Sequence, residues 1–155
     1  MIQLTRRYRF AASHRLHSDR LPDAINIEVF GKCNNPHGHG HNYALAVSVR
    51  GPVNAASGQV VEPAALDALA ADVLREFDHR NLNAEVQEFA GAVPTAENLA
   101  LVIASRLRAR WGEVAAGEWP QLAGIRIEET KRNSVTIIGN GDGPVASGAA
   151  RLGIR

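Results

Sequence analysis

Two segments in the N-terminal third of the chain alternate apolar and polar residues, which is the pattern of half-buried β-strands. In residues 2–14 the apolar side chains occupy the even positions, interrupted by Arg6, and in residues 39–51 they occupy the odd positions. These apolar positions are Ile2, Leu4, Tyr8, Phe10 and Ala12 in the first segment and Tyr43, Leu45, Val47 and Val49 in the second. Residues 15–37 between them are polar and contain two prolines, which predicts a loop.

Two later segments repeat their apolar residues at helical spacing instead. Residues 63–77 have Pro63 near their start, and residues 96–111 follow Thr95, a preferred N-cap residue. The apolar stripes are Leu66, Leu69, Ala70, Val73 and Phe77 in the first segment and Leu99, Val102, Ile103 and Leu107 in the second. This spacing predicts two amphipathic helices, each with one face against a common core.

The last two predicted elements are short strands joined by a tight turn. Ile125 and Ile127 alternate on one strand, and the face they define continues to Glu129. Val135 and Ile137 alternate on the next strand, after the polar turn Lys-Arg-Asn-Ser. The order β-β-α-α-β-β predicts an α+β fold, with a four-stranded antiparallel sheet and two helices on one face.

Composition limits the classes of function. The chain has 155 residues, 45% hydrophobic and 21% charged, and we expect one domain at residues 1–140 and a flexible tail at 141–155. Its net charge of +1 argues against general nucleic-acid or membrane-surface binding. Cys33 is the single cysteine, which excludes an intramolecular disulfide. With no apolar leader or membrane-length apolar run, we expect a cytoplasmic protein.

A group of histidines provides the candidate chemistry. His39 and His41 share one face of the second strand, and His14 continues the apolar face of the first. Three imidazoles with an open fourth position are typical of catalytic zinc, so Zn²⁺ is the expected cofactor. Gly40, between two of the ligands, is expected to ease the backbone around the metal. His37 with His39 is an alternative chelate.

Cys33 admits two interpretations beside this group. As a fourth zinc ligand it would close a structural site, and the protein would be a non-catalytic zinc-binding module. As a free thiol near the cation it would be an acid–base group whose thiolate the positive charge favours.

Five sequence segments together resemble one enzyme family. They read FAASHRLHS, FGKCNNPHGHGHNY, FDHRNLN, PTAENLA and RIEETKRNSV, in this order, and span about residues 4–139. The combination resembles the 6-pyruvoyltetrahydropterin synthases and their bacterial relatives, the 6-carboxytetrahydropterin synthases. The resemblance implies the tunnelling fold, with trimers built around a β-barrel and two trimers stacked into a homohexamer.

The resemblance also implies a role for individual residues. His14, His39 and His41 match the zinc ligands of the family. Glu129 matches the carboxylate that anchors the pterin, a role for which two acceptor oxygens are suited. Thr95 is then both an N-cap and a residue of the pterin pocket.

Further matches concern proton transfer and the phosphates. Cys33 matches the catalytic base of the family. Asp78 and His79 match an Asp-His pair that completes a triad with the cysteine from a neighbouring subunit. A triphosphate needs cationic partners, and Arg15 is the best-placed candidate because it follows a zinc ligand.

The reaction implied is that of a lyase that converts 7,8-dihydroneopterin triphosphate to 6-pyruvoyltetrahydropterin and releases triphosphate, as in tetrahydrobiopterin biosynthesis. The alternative is a 6-carboxytetrahydropterin synthase of queuosine (7-deazaguanine) biosynthesis, which releases acetaldehyde. Five residues separate Cys33 from His39, the spacing of the pyruvoyl type, whereas three separate it from His37, the spacing common in carboxy-forming relatives. Side-chain cleavage for folate synthesis is disfavoured, because that activity usually involves a glutamate near the cysteine position.

Overall fold

The computed structural model describes residues 1–139, which form one mixed five-stranded sheet with helices. The strands are β1 (Ile2–His14), β2 (His39–Gly51), β3 (Arg80–Asn81), β4 (Gln121–Thr130) and β5 (Asn133–Ile138). Their order in the sheet is β3-β1-β2-β4-β5. The helices are α1 (Asp23–Phe30), α2 (Pro63–Arg75), α3 (Leu82–Glu85) and α4 (Ala96–Ala109), with 3₁₀ turns at Gly31–Asn34, Gln87–Ala90 and Trp111–Glu113.

The β1–β2 pair is the scaffold of the molecule. The two strands run antiparallel without a register shift, from the pair Ile2–Gly51 to the pair His14–His39. The even side chains of β1 and the odd side chains of β2 face the same core, as the alternation predicts. Consequently two of the predicted metal ligands lie directly opposite each other at the end of the ladder.

Arg6, which interrupts the apolar face of β1, ties the sheet to α2. Its guanidinium donates two hydrogen bonds, of 2.7 and 2.8 Å, to the carboxylate of Asp67, and the Tyr8 hydroxyl donates a third of 2.8 Å. The Arg6 hydrogen bonds lower the pKa of Asp67. Burial and the Asp67 carboxylate raise the pKa of Tyr8 to about 12. The arginine is thus part of the packing between helix and sheet.

The helices α2 and α4 cover one face of the sheet. The stripes predicted from sequence are buried on both helices, and α4 packs against α2, β4 and β5. The two helices end two residues earlier than predicted, at Arg75 and Ala109. The Thr95 hydroxyl accepts a hydrogen bond of 3.2 Å from the backbone N–H of Asn98, which confirms the predicted N-cap.

Two features were not expected from the sequence. The sheet has a fifth strand, because the two-residue β3 pairs in parallel with β1 at Ala12 and Ser13. The predicted loop at 15–37 contains α1, which is held by a polar side chain. Asn26 is fully buried, and its amide bonds the backbone of Ser18, Leu21 and Pro22.

Three further points concern the C-terminal tail, the lengths of the helices and the hydrophobic core. The predicted tail at 141–155 lies outside the described residues. Within residues 1–139, no helix has the length and apolar character that crossing a membrane requires. The buried core runs from Phe10 on β1 through β2 and the two long helices to Ile127 on β4.

Candidate active site

Three imidazoles meet where the β1–β2 ladder ends. The ring centroids are 4.7 Å apart for His14 and His39, 5.0 Å for His14 and His41, and 4.7 Å for His39 and His41. One nitrogen from each ring lies within 4.8 Å of the other two, and these three residues form the one candidate metal-binding group among residues 1–139. The group can hold a single metal ion.

The hydrogen bonding of His14 and the burial of His14 and His41 fit the binding of a divalent cation. His14 Nδ1 lies 2.7 Å from the carbonyl oxygen of Pro94, which can only accept, so this nitrogen carries the proton. His14 Nε2 then carries no proton, so its lone pair can bind a metal. It lies 3.1 Å from His39 Nε2. His41 Nε2 is buried without a hydrogen-bond partner. Burial lowers the pKa of both His14 and His41, which favours the neutral form that metals bind.

Gly38, just before β2, packs closely against the backbone at the end of β1. It has φ +67°, and a Cβ at this position would lie 2.8 Å from the His14 carbonyl oxygen. The expectation for Gly40 was wrong, since a Cβ there would make only an ordinary contact of 3.7 Å with Ala12. His37, the alternative ligand, is exposed and is not part of the histidine group.

Glu129 lies beside the imidazoles. Its Oε1 is 3.7 Å from His14 Nε2 and 3.7 Å from His41 Nε2, and its side chain is 13% exposed. Its Oε2 accepts a hydrogen bond of 2.8 Å from the Asn133 side chain. The β4–β5 pairing is irregular between Glu128 and Thr130, so Glu129 sits at a bulge. A carboxylate in this place can accept hydrogen bonds from a ligand seated over the histidines.

Tyr43 packs against the histidine group, although the strand pattern indicated only an apolar position there. Its ring stacks on Phe10 at 5.0 Å and contacts the ring of His41 at 5.5 Å. Its hydroxyl is buried and has no hydrogen-bond partner in the described part of the chain. Burial, followed by the charge of Glu129, raises the pKa of Tyr43, so the hydroxyl keeps its proton. The signal in the sequence was its parity with the two histidines of β2.

Cys33 lies on the 3₁₀ turn Gly31–Asn34 and is half-buried. Its carbonyl accepts a hydrogen bond of 2.8 Å from the N–H of Leu16, which joins the turn to the chain just after β1. The thiol is close enough to Tyr43 to influence its hydroxyl electrostatically. Cys33 is not a member of the candidate metal-binding group, so the geometry gives no support to a closed Cys-His₃ site.

Asp78 and His79 lie at the edge of the sheet. Asp78 Oδ1 accepts a hydrogen bond of 2.8 Å from the N–H of Ala11, and Oδ2 is 3.1 Å from His79 Nδ1. His79 has φ +59°, which is unusual for a residue other than glycine, and its side chain is 81% exposed. Across the described range 1–139, no hydrogen bond or ion pair joins either residue to Cys33 of the same chain.

Thr95 and Arg15 lie on the β1 side of the histidines. Thr95 follows Pro94, the hydrogen-bond acceptor of His14, so the start of α4 borders the site. The Arg15 guanidinium donates hydrogen bonds of 3.0 and 3.4 Å to the backbone and side chain of Asn34. Arg15 also lines a cavity of about 460 Å³ that opens beside His14.

Comparison with known proteins assigns the chain to an enzyme family. The model of the 6-pyruvoyl tetrahydropterin synthase family matches residues 3–140. The 6-pyruvoyl tetrahydrobiopterin synthase of Drosophila melanogaster is 43% identical over 138 residues, 88% of this chain and 79% of that protein. The Homo sapiens protein of the same name is 45% identical over 107 residues, 68% of this chain and 74% of that protein.

A solved structure is similar over nearly the same length. The structure of Caenorhabditis elegans 6-pyruvoyl tetrahydropterin synthase superposes with a TM-score of 0.81 at 41% identity. The match covers 89% of this chain and 95% of that one. The similarity therefore shows a shared fold over most of both chains.

Proposed function

The chain belongs to the 6-pyruvoyl tetrahydropterin synthase family, and we propose that it converts 7,8-dihydroneopterin triphosphate to 6-pyruvoyltetrahydropterin with release of triphosphate. Membership of this family makes the chain an enzyme of the lyase class. The observation that carries the proposal is the group of three imidazoles with a carboxylate 3.7 Å from two of them. The catalytic unit is the predicted domain of residues 1–140, and we place it in the cytoplasm.

In this proposal His14, His39 and His41 hold Zn²⁺. A cation bound there supplies Lewis acidity, which acidifies a carbon-bound hydrogen next to a polarised oxygen of the substrate side chain. Two observations support the assignment. His41 Nε2 has no hydrogen-bond partner, and the proton of His14 lies on Nδ1, which leaves Nε2 of that ring unprotonated. Both Nε2 atoms can therefore offer a lone pair to a metal. Neutral ligands leave the full charge of the cation available to the substrate.

Glu129 anchors the pterin ring. A pterin presents a ring N–H and an exocyclic amino group on one edge, and one carboxylate can accept both hydrogen bonds. The Asn133 side chain donates a hydrogen bond to Oε2 of Glu129, which limits the orientations of the carboxylate. Thr95 contributes to the same pocket from the start of α4, where Pro94 already contacts a metal-ligand candidate.

Cys33 accepts the proton in this scheme, and His79, oriented by Asp78, relays it. The Asp78 carboxylate is itself fixed by the N–H of Ala11, so the imidazole has a defined direction. The exposure of His79 supports a role at the site of a neighbouring copy, in the predicted homohexamer. Its positive φ supports the same role, because strained backbone persists mainly where function requires it.

The decisive experiment is product analysis. Zinc-loaded protein is incubated with 7,8-dihydroneopterin triphosphate, and the products are identified by mass spectrometry. A 6-pyruvoyl pterin with free triphosphate is expected. A 6-carboxy pterin with acetaldehyde would contradict the product assignment and move the enzyme to the carboxy-forming branch.

The Cys33→Ala variant separates the catalytic from the structural interpretation of the thiol. We expect turnover to fall by about 10²- to 10⁴-fold, the usual contribution of a proton-transfer group, with one zinc per chain retained. Loss of zinc together with unfolding would instead indicate a closed structural site and would contradict the proposal.

A further inference from the structure

The carboxylate of Glu129 lies close to two of the metal-ligand candidates without being one of them. Its Oε1 is 3.7 Å from His14 Nε2 and 3.7 Å from His41 Nε2. Two ligand atoms of a tetrahedral zinc ion, each about 2.0–2.1 Å from the metal, are roughly 3.3 Å apart. Among residues 1–139, the candidate metal-binding group consists of the three histidines and leaves Glu129 out. A short movement of the carboxylate would therefore add a fourth ligand.

Such a movement would change what the site can do. A cation held by neutral imidazoles attracts a neighbouring carboxylate strongly. Three histidines and a carboxylate would close the fourth position, and an open fourth position is what distinguishes a catalytic zinc site from a structural one. The carboxylate would also be lost as a hydrogen-bond acceptor for the pterin. The site therefore needs groups that hold Glu129 away from the cation.

One oxygen of the carboxylate is already held on the side away from the imidazoles. The Asn133 side chain donates a hydrogen bond of 2.8 Å to Oε2 of Glu129. Oε1 is the oxygen that faces His14 and His41. Holding Oε1 requires a second donor on the side of the histidine group.

The Tyr43 hydroxyl lies where such a donor is needed. The pairing of β2 with β4 runs as far as Ala44 and Glu128, so Tyr43 and Glu129 are the next residues of the two strands toward the site. The hydroxyl is buried and has no hydrogen-bond partner in the described range 1–139. Burial, followed by the charge of Glu129, raises the pKa of Tyr43, so the carboxylate acts on the hydroxyl at close range.

The ring that carries this hydroxyl is fixed by its neighbours. It stacks on Phe10 with a centroid distance of 5.0 Å and an angle of 12° between the ring planes. It also contacts His41 at 5.5 Å and His14 at 6.4 Å, and Tyr43 is 1% exposed. A phenol keeps its proton at neutral pH. Tyr43 therefore offers a hydrogen-bond donor in a fixed place beside the histidine group.

We propose that the Tyr43 hydroxyl donates a hydrogen bond to Oε1 of Glu129 when a cation occupies the histidine group, and thereby keeps the fourth metal position open for the substrate. Tyr43 is then a positioning residue, because it acts through Glu129. The need for an open position rests on the proposed function. A buried hydroxyl without a partner destabilises the fold, so its presence here favours a role in function over one in stability.

Thiocyanate binding to the cobalt-substituted full chain tests the proposal without turnover. This anion takes an open metal position, and the visible absorption of Co²⁺ reports its coordination. We expect Tyr43→Phe to bind thiocyanate about tenfold or more weakly than the wild type, because the released carboxylate competes for the same position. Tyr8→Phe is the matched control, since it removes the hydroxyl that bonds Asp67, and it should bind thiocyanate as the wild type does.

A double variant identifies the competing group. In the Glu129→Gln background, adding Tyr43→Phe should leave the thiocyanate affinity unchanged, because the neutral amide is not drawn to the cation. Competition with a chelator gives a second readout. Tyr43→Phe alone should bind zinc more tightly than the wild type, since it gains a ligand, whereas a structural defect at the site would weaken zinc binding.

The outcomes separate this proposal from the proposed function. Thiocyanate affinity that is unchanged in Tyr43→Phe overturns the role of Tyr43, and so does a loss of affinity that is equally large in the Glu129→Gln background. A wild type that takes no thiocyanate overturns it as well. If thiocyanate binding depends on Tyr43 through Glu129 but the wild type makes no 6-pyruvoyl pterin, the positioning role is supported and the proposed function is overturned.

Discussion

The imidazole of His14 donates a hydrogen bond of 2.7 Å from Nδ1 to the carbonyl oxygen of Pro94, which lies 80 residues further along the chain. Pro94 immediately precedes Thr95, the N-cap of α4. The packing of this helix start on the sheet therefore sets which nitrogen of His14 is free to bind a metal. The site depends on contact between helix and sheet as well as on the strand that carries the ligands.

Replacing His39 with alanine should abolish metal binding without unfolding the chain. The variant removes one of three converging nitrogens, and we expect zinc affinity to fall by more than about 100-fold. Elemental analysis gives the metal content, and thermal denaturation reports the fold. His37→Ala is the control, since this histidine lies two residues away and outside the group. Equal metal loss in both variants would contradict the assigned ligand set.

Replacing Glu129 with glutamine should weaken pterin binding. The amide keeps the size of the side chain but loses its charge and one acceptor, so we expect an affinity loss of about 10- to 100-fold. Binding of a pterin lacking phosphates, followed by fluorescence, measures the effect apart from the triphosphate. Glu128→Gln is the control, because this neighbour pairs with Arg7 instead. An unaffected Glu129→Gln variant would refute the anchor.

Replacing Gly38 with alanine should disturb the metal site more than the same change elsewhere. The new Cβ would meet the His14 carbonyl oxygen at 2.8 Å and would also sit at φ +67°. Gly58→Ala is the matched control, with φ +70° and no atom within 4 Å. The control should cost about 1–2 kcal/mol of unfolding free energy from its backbone alone. Gly38→Ala should cost more and bind zinc less tightly, as denaturant titration and metal competition would show.

Replacing Tyr43 with phenylalanine should leave the fold as stable as the wild type or stabilise it. The hydroxyl is buried without a partner, and leaving such a group unsatisfied costs about 1–3 kcal/mol. Stacking on Phe10 does not involve the hydroxyl and should persist. Chemical denaturation of the metal-free protein measures the change. A clear loss of stability would mean that the hydroxyl has a hydrogen-bond partner in solution.

The Arg6–Asp67 pair should make stability depend on pH in the acid range. Its hydrogen bonds lower the pKa of Asp67, so the pair stabilises the folded state above the unfolded pKa of about 3.9. This contribution is lost as the pH falls through the lower folded-state pKa. Asp67→Asn should therefore be less stable than the wild type at pH 7, with the difference shrinking in acid. Glu118→Gln is the control, because it makes the same charge change in an exposed loop. Its stability difference from the wild type should not change between pH 7 and acid.

Local patterns predicted the strands well. The predicted bounds of β1 and β2 coincide with those in the structure, and the parity of their residues places His14, His39 and His41 on one side. Alternation along a strand is a property of neighbouring residues, so it is visible in the sequence. The resemblance to the family then named the fold, which the structural comparison confirms.

The predicted loop at 15–37 shows where local patterns fail. In α1 the hydrophobic residues Ile25, Ile27 and Val29 are exposed, and they lack helical spacing. The helix is stabilised instead by the buried amide of Asn26, which bonds backbone groups up to eight residues away. Hydrogen bonding of this kind leaves no hydrophobic period, so the sequence pattern indicated a loop.

By itself the sequence determined the type of each main element, the face on which each candidate residue lies, and the family. Only the tertiary structure decided which glycine is constrained, which nitrogen of His14 is free, and that Glu129 lies 3.7 Å from two imidazoles. It also brought Arg15 and His17 together through Asn34. These relationships join residues far apart in the chain, so they depend on strand register and on the packing of helix against sheet, which no local pattern encodes.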